Sequence, residues 1–188
     1  MTDSAGLCRS SDSLLLLIDM QERLAQAVPA EDFNAAAGQA AILLQTASHL
    51  EIPVLATEQY PQGLGSTVAA LRTCLPADTT AMSKTGFSCC AADGFTEQLA
   101  AQQRRQVILA GMETHICVLQ TAFELQHRGY QVYVVEDACC ARSPQRTHNG
   151  IERMRQAGIT VTHSESVLFE WLRDASHPQF KTVSRLLK

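Results

Sequence analysis

Short runs of wholly apolar residues alternate along this chain with longer amphipathic stretches. The first run, LLLLI from Leu14 to Ile18, contains no polar residue and is followed at once by Asp19. A strand that is apolar throughout has to be covered on both faces, which is typical of the parallel sheets of α/β proteins. Because crossovers between parallel strands are right-handed, we expect a doubly wound α/β fold with helices on both faces of the sheet.

The same pattern places the individual elements. Strands are predicted at residues 14–19, 52–58, 80–83, 106–110, 131–136 and 159–162. Helices are predicted at residues 31–50, 68–74, 94–103, 114–128, 143–157 and 166–175, and residues 59–66 are predicted to be a loop. No linker rich in Pro, Gly or Ser divides the chain, so we expect one domain over residues 1–188, with 1–12 as a flexible N-terminus.

Composition excludes several classes of function. Hydrophobic residues make up 46% of the 188 residues, which is enough for a packed core and excludes wholesale disorder. The net charge is -4 and no block of Lys and Arg occurs, so nucleic acid and anionic membranes are not expected partners. No apolar run approaches the ~20 residues that span a bilayer, and the start lacks the pattern of a secretory signal. We therefore expect a cytoplasmic protein that acts on a small molecule.

The seven cysteines do not form a regular framework. In a reducing compartment most of them should be free thiols that pack as small hydrophobic residues. The pairs Cys89-Cys90 and Cys139-Cys140 have neither the spacing of a zinc site nor that of a C-x-x-C redox motif. We predict that both pairs serve packing.

Three chemically distinct side chains follow different predicted strands. Asp19 ends the first strand, Lys84 follows the third, and Cys117 follows the fourth. The carboxyl ends of the strands in a doubly wound sheet lie on one edge, where ligands bind. The sequence therefore predicts an acid, an amine and a thiol at the same edge.

Cys117 falls in the first turn of a predicted helix. Unpaired N–H groups and the positive end of the helix dipole favour a thiolate there, and the same N–H groups could receive an oxyanion. Asp19 could take the thiol proton, and Lys84 could hold both partners by charge. Structural alternatives stay open: Cys117 as a core thiol, Asp19 as a helix N-cap, and Lys84 as a solvated loop residue.

Histidines and phosphate-binding motifs give weaker signals. His115 lies two residues before Cys117, and residues so spaced on a helix do not face each other, so we expect His115 to line the pocket mouth or to pack. His163 has no neighbour spaced to complete a metal site, and the other histidines are expected at the surface. No Gly-rich phosphate loop follows a strand, so no nucleotide cofactor is predicted.

Three segments carry a resemblance to a known family. LLLLIDMQ contains Asp19, SKTGFS contains Lys84, and LAGMETHICVLQTAFELQHRGYQVYVVEDACCARS contains Cys117. In this order they resemble the isochorismatase-like cysteine hydrolase superfamily, over residues 14–172. The segment TEQYPQGLG is most similar to the subgroup of isochorismatase-domain-containing proteins.

The resemblance implies a Rossmann-like sheet of six parallel strands and a Cys-Asp-Lys triad made of Cys117, Asp19 and Lys84. Such a triad hydrolyses amide-type C–N bonds through a thioester, without a cofactor. The resemblance also implies a cis peptide between Met112 and Glu113. The backbone N–H groups of Glu113 and Cys117 would then form the oxyanion hole. Family members are commonly oligomers, so a homo-oligomer is expected.

Two departures from the family bear on substrate and metal. Nicotinamidases carry a D-x-H metal motif where this chain has TEQYPQ without histidine, so no metal is expected. Isochorismatases need no cysteine nucleophile, so an intact Cys117 favours an amidase over ether hydrolysis. Ether hydrolysis and a catalytically silent binding domain remain the alternatives. The residues expected to line the substrate pocket are Gln59, Tyr60, Phe87 and His115.

Overall fold

Six parallel strands form one sheet within residues 6–187, the part of the chain that this computed structural model describes. The strands are β1 (Ser13–Ile18), β2 (Val54–Gln59), β3 (Met82–Lys84), β4 (Gln106–Gly111), β5 (Gln131–Cys139) and β6 (Thr160–Thr162). Their order across the sheet is β3-β2-β1-β4-β5-β6, and all neighbouring pairs are parallel. The order reverses at β1, which confirms the predicted doubly wound, Rossmann-like fold.

Helices cover both faces of this sheet. They are α1 (Glu22–Ala25), α2 (Ala30–His49), α3 (Pro61–Leu64), α4 (Ala69–Arg72), α5 (Phe95–Ala101), α6 (Leu119–His127), α7 (Pro144–Gln156), α8 (Ser164–Leu172) and α9 (Phe180–Arg185). Leu15 and Leu17 of β1 pack in one core with buried residues of α2 and α8. Leu14 and Leu16 face the opposite core, which includes buried residues of α5, α6 and α7. The alternation follows from the two-residue repeat of a strand and explains why β1 has no polar residue on either face except Ser13.

The predicted elements are all present, with local differences. Residues 59–66 were expected to be a loop, but Gln59 ends β2 and Pro61–Leu64 form the short helix α3. Proline suits this position because its missing N–H is not needed in a first helical turn. The short helix α1 was not predicted. The helix expected from residue 114 begins with a π-helical turn, Thr114–Val118, before α6.

Part of the predicted flexible N-terminus is packed against the fold. Residues 1–5 lie outside the described residues. Beyond them, the backbone N–H of Cys8 donates to Glu170 Oε2 at 2.7 Å, and that of Arg9 donates to Gln106 Oε1 at 2.7 Å. The segment that leads into β1 is therefore held by α8 and β4. Among residues 6–187, no helix has both the length and the apolar character needed to cross a membrane.

Gly111 at the end of β4 brings the next segment against β1. Its φ is +139°, and a Cβ at this position would lie 2.1 Å from the carbonyl oxygen of Ile18. Glycine is therefore required for the close approach. The N–H of Met112 then donates to Ile18 O at 2.9 Å, so the chain that leads to Cys117 starts beside Asp19.

Candidate active site

Asp19 lies directly beyond β1 and is fully buried. Its backbone has a φ of +52°, an uncommon conformation for a residue other than glycine and one that clusters at functional sites. Its N–H donates to Thr57 O at 3.1 Å. Its carboxylate accepts hydrogen bonds from Thr57 Oγ1 at 2.8 Å and from Lys84 Nζ at 2.6 Å, one on each oxygen.

Lys84 ends β3 and points its ammonium into the protein. Its ion pair with Asp19 has both side chains 0% exposed. The ammonium also donates to Gln59 Oε1 at 2.7 Å and to the carbonyl oxygen of Phe87 at 3.0 Å. A buried charge is tolerated only when it is paired and hydrogen-bonded, and Lys84 meets both conditions. The solvated-loop interpretation of Lys84 is therefore wrong.

Cys117 lies in the π-helical turn and is 6% exposed. Asp19 and Lys84 are the charged groups that act on its thiol, and Cys117 packs in the same cluster as Ile18 and Cys89, so the acid, the amine and the thiol lie in one buried region. Burial, followed by the Asp19 carboxylate, raises the pKa of Cys117 from its usual 9.0 to about 12, while Lys84 acts in the opposite direction. The direction of this shift is opposite to the thiolate that the helix end is expected to favour, because burial acts against the charged form.

The residues beside Cys117 provide backbone N–H groups. The peptide bond between Met112 and Glu113 is cis, as the family resemblance implied. The Glu113 side chain turns away to Arg142, whose backbone N–H and Nε donate to its Oε2 at 3.1 and 3.0 Å. The side chain of Glu113 is thus held in an ion pair at the end of β5, and its backbone is the part adjacent to the nucleophile turn.

The four residues expected to line a substrate pocket fall into different environments. Gln59 is bound to Lys84 through Oε1 and donates to Thr85 O through Nε2 at 2.7 Å, so its side chain supports the lysine. Tyr60 and Phe87 are 54% and 53% exposed. A Cβ on Gly63 would lie 2.2 Å from the Tyr60 ring, which shows that this ring lies across the glycine.

His115 is partly buried and lies close to α7. A Cβ on Gly150 of α7 would lie 2.9 Å from the Cα of His115, so the small residue allows α7 to approach. Burial lowers the pKa of His115; Glu113 opposes this shift, and Arg142 adds to it. Its Nδ1 is buried and has no hydrogen-bond partner among residues 6–187.

Sequence reasoning missed two buried polar residues that organise the site. Thr57 follows the apolar part of β2 and donates to Asp19. Gln21, also fully buried, donates through Nε2 to the carbonyl oxygens of Gln59 at 3.0 Å and Gly65 at 2.7 Å, and its Oε1 accepts from the Gln59 N–H at 2.7 Å. No feature of the sequence distinguishes either residue from its polar neighbours.

Three further cysteines and one acidic residue lie near the sheet edge that carries the site. Cys139 and Cys140 are buried free thiols at the end of β5, and Cys89 is buried beside the triad. Glu58, in the stretch that aligns with the metal motif of nicotinamidases, accepts hydrogen bonds from the backbone N–H and the hydroxyl of Thr67. Within the described residues, no group of three or more His, Cys, Asp and Glu side chains is arranged to hold a metal ion.

The doubly wound parallel sheet, with a buried Asp–Lys pair and a cysteine at its carboxyl edge, has the architecture of a Rossmann-like hydrolase. Residues 13–166 match the Isochorismatase domain family. The chain belongs to the isochorismatase family.

Several relatives match almost the whole chain. Isochorismatase domain-containing protein 2 from Homo sapiens is 40% identical over 186 residues, covering 98% of this chain and 87% of the relative. The protein of the same name from Bos taurus is 42% identical over 184 residues, covering 97% of this chain and 86% of the relative.

Solved structures show the same fold. The MAR1 ribonuclease from Caenorhabditis elegans has a TM-score of 0.91 and 36% identity, covering 97% of this chain and 92% of the other. An octameric hydrolase of unknown specificity from Escherichia coli has a TM-score of 0.88 at 24% identity, covering 99% and 91%. The second match shows the fold alone.

Proposed function

We propose that this protein is a cysteine hydrolase that cleaves an amide-type or ureido-type C–N bond of a small molecule. Cys117 is the nucleophile, Asp19 accepts and returns the proton, and Lys84 neutralises the carboxylate charge. The observation that carries the proposal is the buried Asp19–Lys84 pair at 2.6 Å, with the thiol of Cys117 near enough for both charges to act on its pKa.

The first half of the reaction forms a thioester. The Cys117 thiol gives its proton to Asp19 as the sulfur forms a bond to the carbonyl carbon. The negative charge on the carbonyl oxygen is received by the backbone N–H groups of Glu113 and Cys117. When this intermediate collapses, the C–N bond breaks and Asp19 returns the proton to the leaving amine.

The second half consumes one water molecule. Water attacks the carbonyl carbon of the thioester while Asp19 takes one of its protons. The C–S bond then breaks, the acid product leaves, and the proton returns to the sulfur of Cys117. The raised pKa of Cys117 fits this cycle, because the thiol holds its proton until a substrate is present. The complete reaction converts one amide and one water into one acid and one amine.

The proposal also covers the location of the protein, its independence of metal, its assembly and the residues around the substrate. We place the protein in the cytoplasm and assign it a metal-independent reaction, since no histidine follows β2 at the nicotinamidase metal position. A homo-oligomer is proposed from the fold shared with the octameric hydrolase. Tyr60, Phe87 and His115 border the substrate, whereas Gln59 supports Lys84.

A screen of primary amides, carbamoyl compounds and ureido compounds tests this function, with released amine or ammonia as the readout. The protein should hydrolyse at least one compound, and Cys117→Ala should lower the rate by about a thousandfold or more, as for other nucleophile deletions. Cys140→Ala is the matched control, because it removes another buried thiol that has no contact with Asp19 or Lys84 and should leave the rate nearly unchanged. Full turnover by Cys117→Ala would rule out the mechanism.

The exposed aromatic side chains give a test of specificity. Phe87→Ala should change the ratio of kcat/KM values between an aromatic and an aliphatic amide, with little effect on stability because the ring is half-exposed. Phe169→Ala, which removes another exposed aromatic residue on α8, is the control. Loss of folding without a change in this ratio would exclude Phe87 from the substrate site.

A second candidate is cleavage of RNA, favoured by the name of the C. elegans neighbour at 36% identity. The net charge of -4 weighs against it, because RNA binding normally relies on clustered cations. A labelled single-stranded RNA oligonucleotide, incubated with the protein and with Cys117→Ala, separates the two. RNA cleavage that depends on Cys117 would identify RNA as a substrate of the same site. If the protein hydrolyses an amide but does not cleave the RNA, the amidase proposal stands.

A further inference from the structure

A buried hydroxyl group joins the candidate triad to a second thiol. Thr57 of β2 is 1% exposed, and its Oγ1 donates to Asp19 Oδ1 at 2.8 Å. The same Oγ1 lies 3.4 Å from the Sγ of Cys89, within hydrogen-bonding distance for sulfur. The hydroxyl of Thr57 thus lies between a carboxylate and a thiol, and both contacts are buried.

The number of protons fixes the direction of both contacts. A threonine hydroxyl has one hydrogen and two lone pairs. If that hydrogen is given to the carboxylate of Asp19, the contact with sulfur requires Cys89 to be the donor. Burial, and then the charge of Asp19, raises the pKa of Cys89 to about 12, so the thiol retains the proton that it donates.

Cys89 is itself held by α6, the helix that directly follows the π-helical turn of Cys117. Its backbone N–H donates to the hydroxyl of Thr121 at 2.9 Å, and Thr121 lies on α6, four residues after Cys117. Residues four apart on a helix share a face. The contacts therefore run from Thr121 through Cys89 and Thr57 to Asp19.

We propose that Thr57 is a positioning residue for the reaction. Cys89 orients the Thr57 hydroxyl, and this hydroxyl fixes the Asp19 carboxylate so that the carboxylate faces Lys84 and Cys117. This inference rests on the proposed function, because it assigns Asp19 the proton transfer. The titratable groups that face Asp19 are Lys84 from β3, Cys117 from the π-helical turn and Cys89 from the turn after β3. Without Thr57, the carboxylate loses one of its neutral donors while these three groups remain.

Two substitutions at Thr57 separate the hydroxyl from the shape of the side chain. Thr57→Val removes the donor and keeps the branched form, and Thr57→Ser keeps the donor. Thr57→Val should lower kcat by about tenfold, the value of one hydrogen bond to a charged group, with KM little changed. The acid limb of the pH profile of kcat/KM should move to higher pH, because a carboxylate with fewer donors takes up a proton more readily. Thr57→Ser should retain the rate and the profile of the unmodified protein.

Thr46→Val is the matched control for burial. The hydroxyl of Thr46 on α2 is also fully buried, yet it has no hydrogen-bond partner within the described part of the chain. Thr46→Val should therefore leave both kcat and the pH profile unchanged. The proposal would be overturned if Thr57→Val has the same kcat and the same pH profile of kcat/KM as Thr46→Val.

A second readout needs no substrate. The rate of Cys117 alkylation by excess iodoacetamide, followed by peptide mass spectrometry across pH, depends on the acceptance of the thiol proton by Asp19. In Thr57→Val the fall of this rate toward acid should occur at higher pH than in the unmodified protein. An unchanged alkylation profile contradicts the role of Thr57. A shifted profile without any amide turnover would instead support Thr57 and reject the proposed function.

The part played by Cys89 is tested in a double-mutant cycle. Cys89→Ala removes the thiol that orients Thr57 and should lower kcat by about twofold to threefold, whereas Cys139→Ala, another buried thiol of the same core, should not. In the Thr57→Val background, Cys89→Ala should have no further effect on kcat, because its partner is already absent. Equal effects of Cys89→Ala in both backgrounds would show that Cys89 does not act through Thr57.

Discussion

Two groups of charged residues lie at the carboxyl edge of the same sheet, and they differ in burial. Asp19 and Lys84 form a pair with both side chains 0% exposed and a separation of 2.6 Å. His163, the residue after β6, lies 3.1 Å from Glu136 and 3.5 Å from Asp137 of β5, but its side chain is 60% exposed. Water screens the second group and is excluded from the first.

This difference indicates which group does chemistry. Exposed ion pairs contribute about 0–1 kcal/mol and need no further explanation. A buried pair is often no more stable than a pair of well-packed apolar residues, so stability alone does not account for Asp19 and Lys84. The thiol of Cys117 lies in the same buried region, and the proposed proton transfer gives the buried pair a use that the exposed group lacks.

Removing one partner of the buried pair should produce the largest effect. Lys84→Met leaves the Asp19 carboxylate buried without a counter-charge, and we expect a loss of about 3–5 kcal/mol in the free energy of unfolding. Urea denaturation followed by circular dichroism measures this loss. If the free energy of unfolding of Lys84→Met stays within about 1 kcal/mol of that of the unmodified protein, water reaches the Asp19–Lys84 pair.

Removing both charges should restore much of that stability. Asp19→Asn combined with Lys84→Met leaves no unpaired charge, so the double variant should be more stable than Lys84→Met alone by about 2 kcal/mol or more. Catalysis should remain absent, because no group is left to take the thiol proton. A double variant that hydrolyses substrate at the unmodified rate contradicts the assignment of Asp19.

Thiol labelling compares the buried site with a half-buried cysteine. Because the raised pKa keeps Cys117 protonated at pH 7, we expect iodoacetamide to modify Cys74, near the end of α4, before Cys117. Peptide mass spectrometry after short exposure gives the order. Modification of Cys117 first would mean that it rests as a thiolate.

Substitution in the exposed group should have the smallest effect. His163→Ala should change the free energy of unfolding by less than about 0.5 kcal/mol and leave catalysis intact. Urea denaturation at low and high salt measures this change for His163→Ala and for Lys84→Met. Salt should weaken the effect of His163→Ala more than that of Lys84→Met, because exposed charges are screened more strongly than buried ones. A loss as large as that of Lys84→Met would remove the distinction between the two groups.

The sequence was sufficient for residues whose position follows from the sheet. Asp19 and Lys84 follow apolar or short strands, and parallel strands bring such ends to one edge. Family resemblance supplied the cis peptide before Glu113. The apolar surroundings of Cys117, which set the protonation state of its thiol, come from packing between elements and could not be derived from local sequence.

Side-chain partners within the site were the part that the sequence could not predict. Gln59 was expected to line a pocket, yet it accepts a hydrogen bond from Lys84, because β2 and β3 pair in a register that aligns the two residues. Thr57 and Cys89 belong to a strand and a turn that give no motif. Their role depends on distances of a few ångströms between segments that are far apart in the chain.

The central claim is that the sulfur of Cys117 carries the acyl group of the substrate during turnover. Acid quenching of a reaction with an amide found in the screen, followed by peptide mapping, measures this directly. The account predicts an acyl mass on the peptide that contains Cys117, absent in Cys117→Ala and lost when hydroxylamine cleaves the thioester. Turnover without any adduct at Cys117, combined with an adduct on another residue, would contradict it.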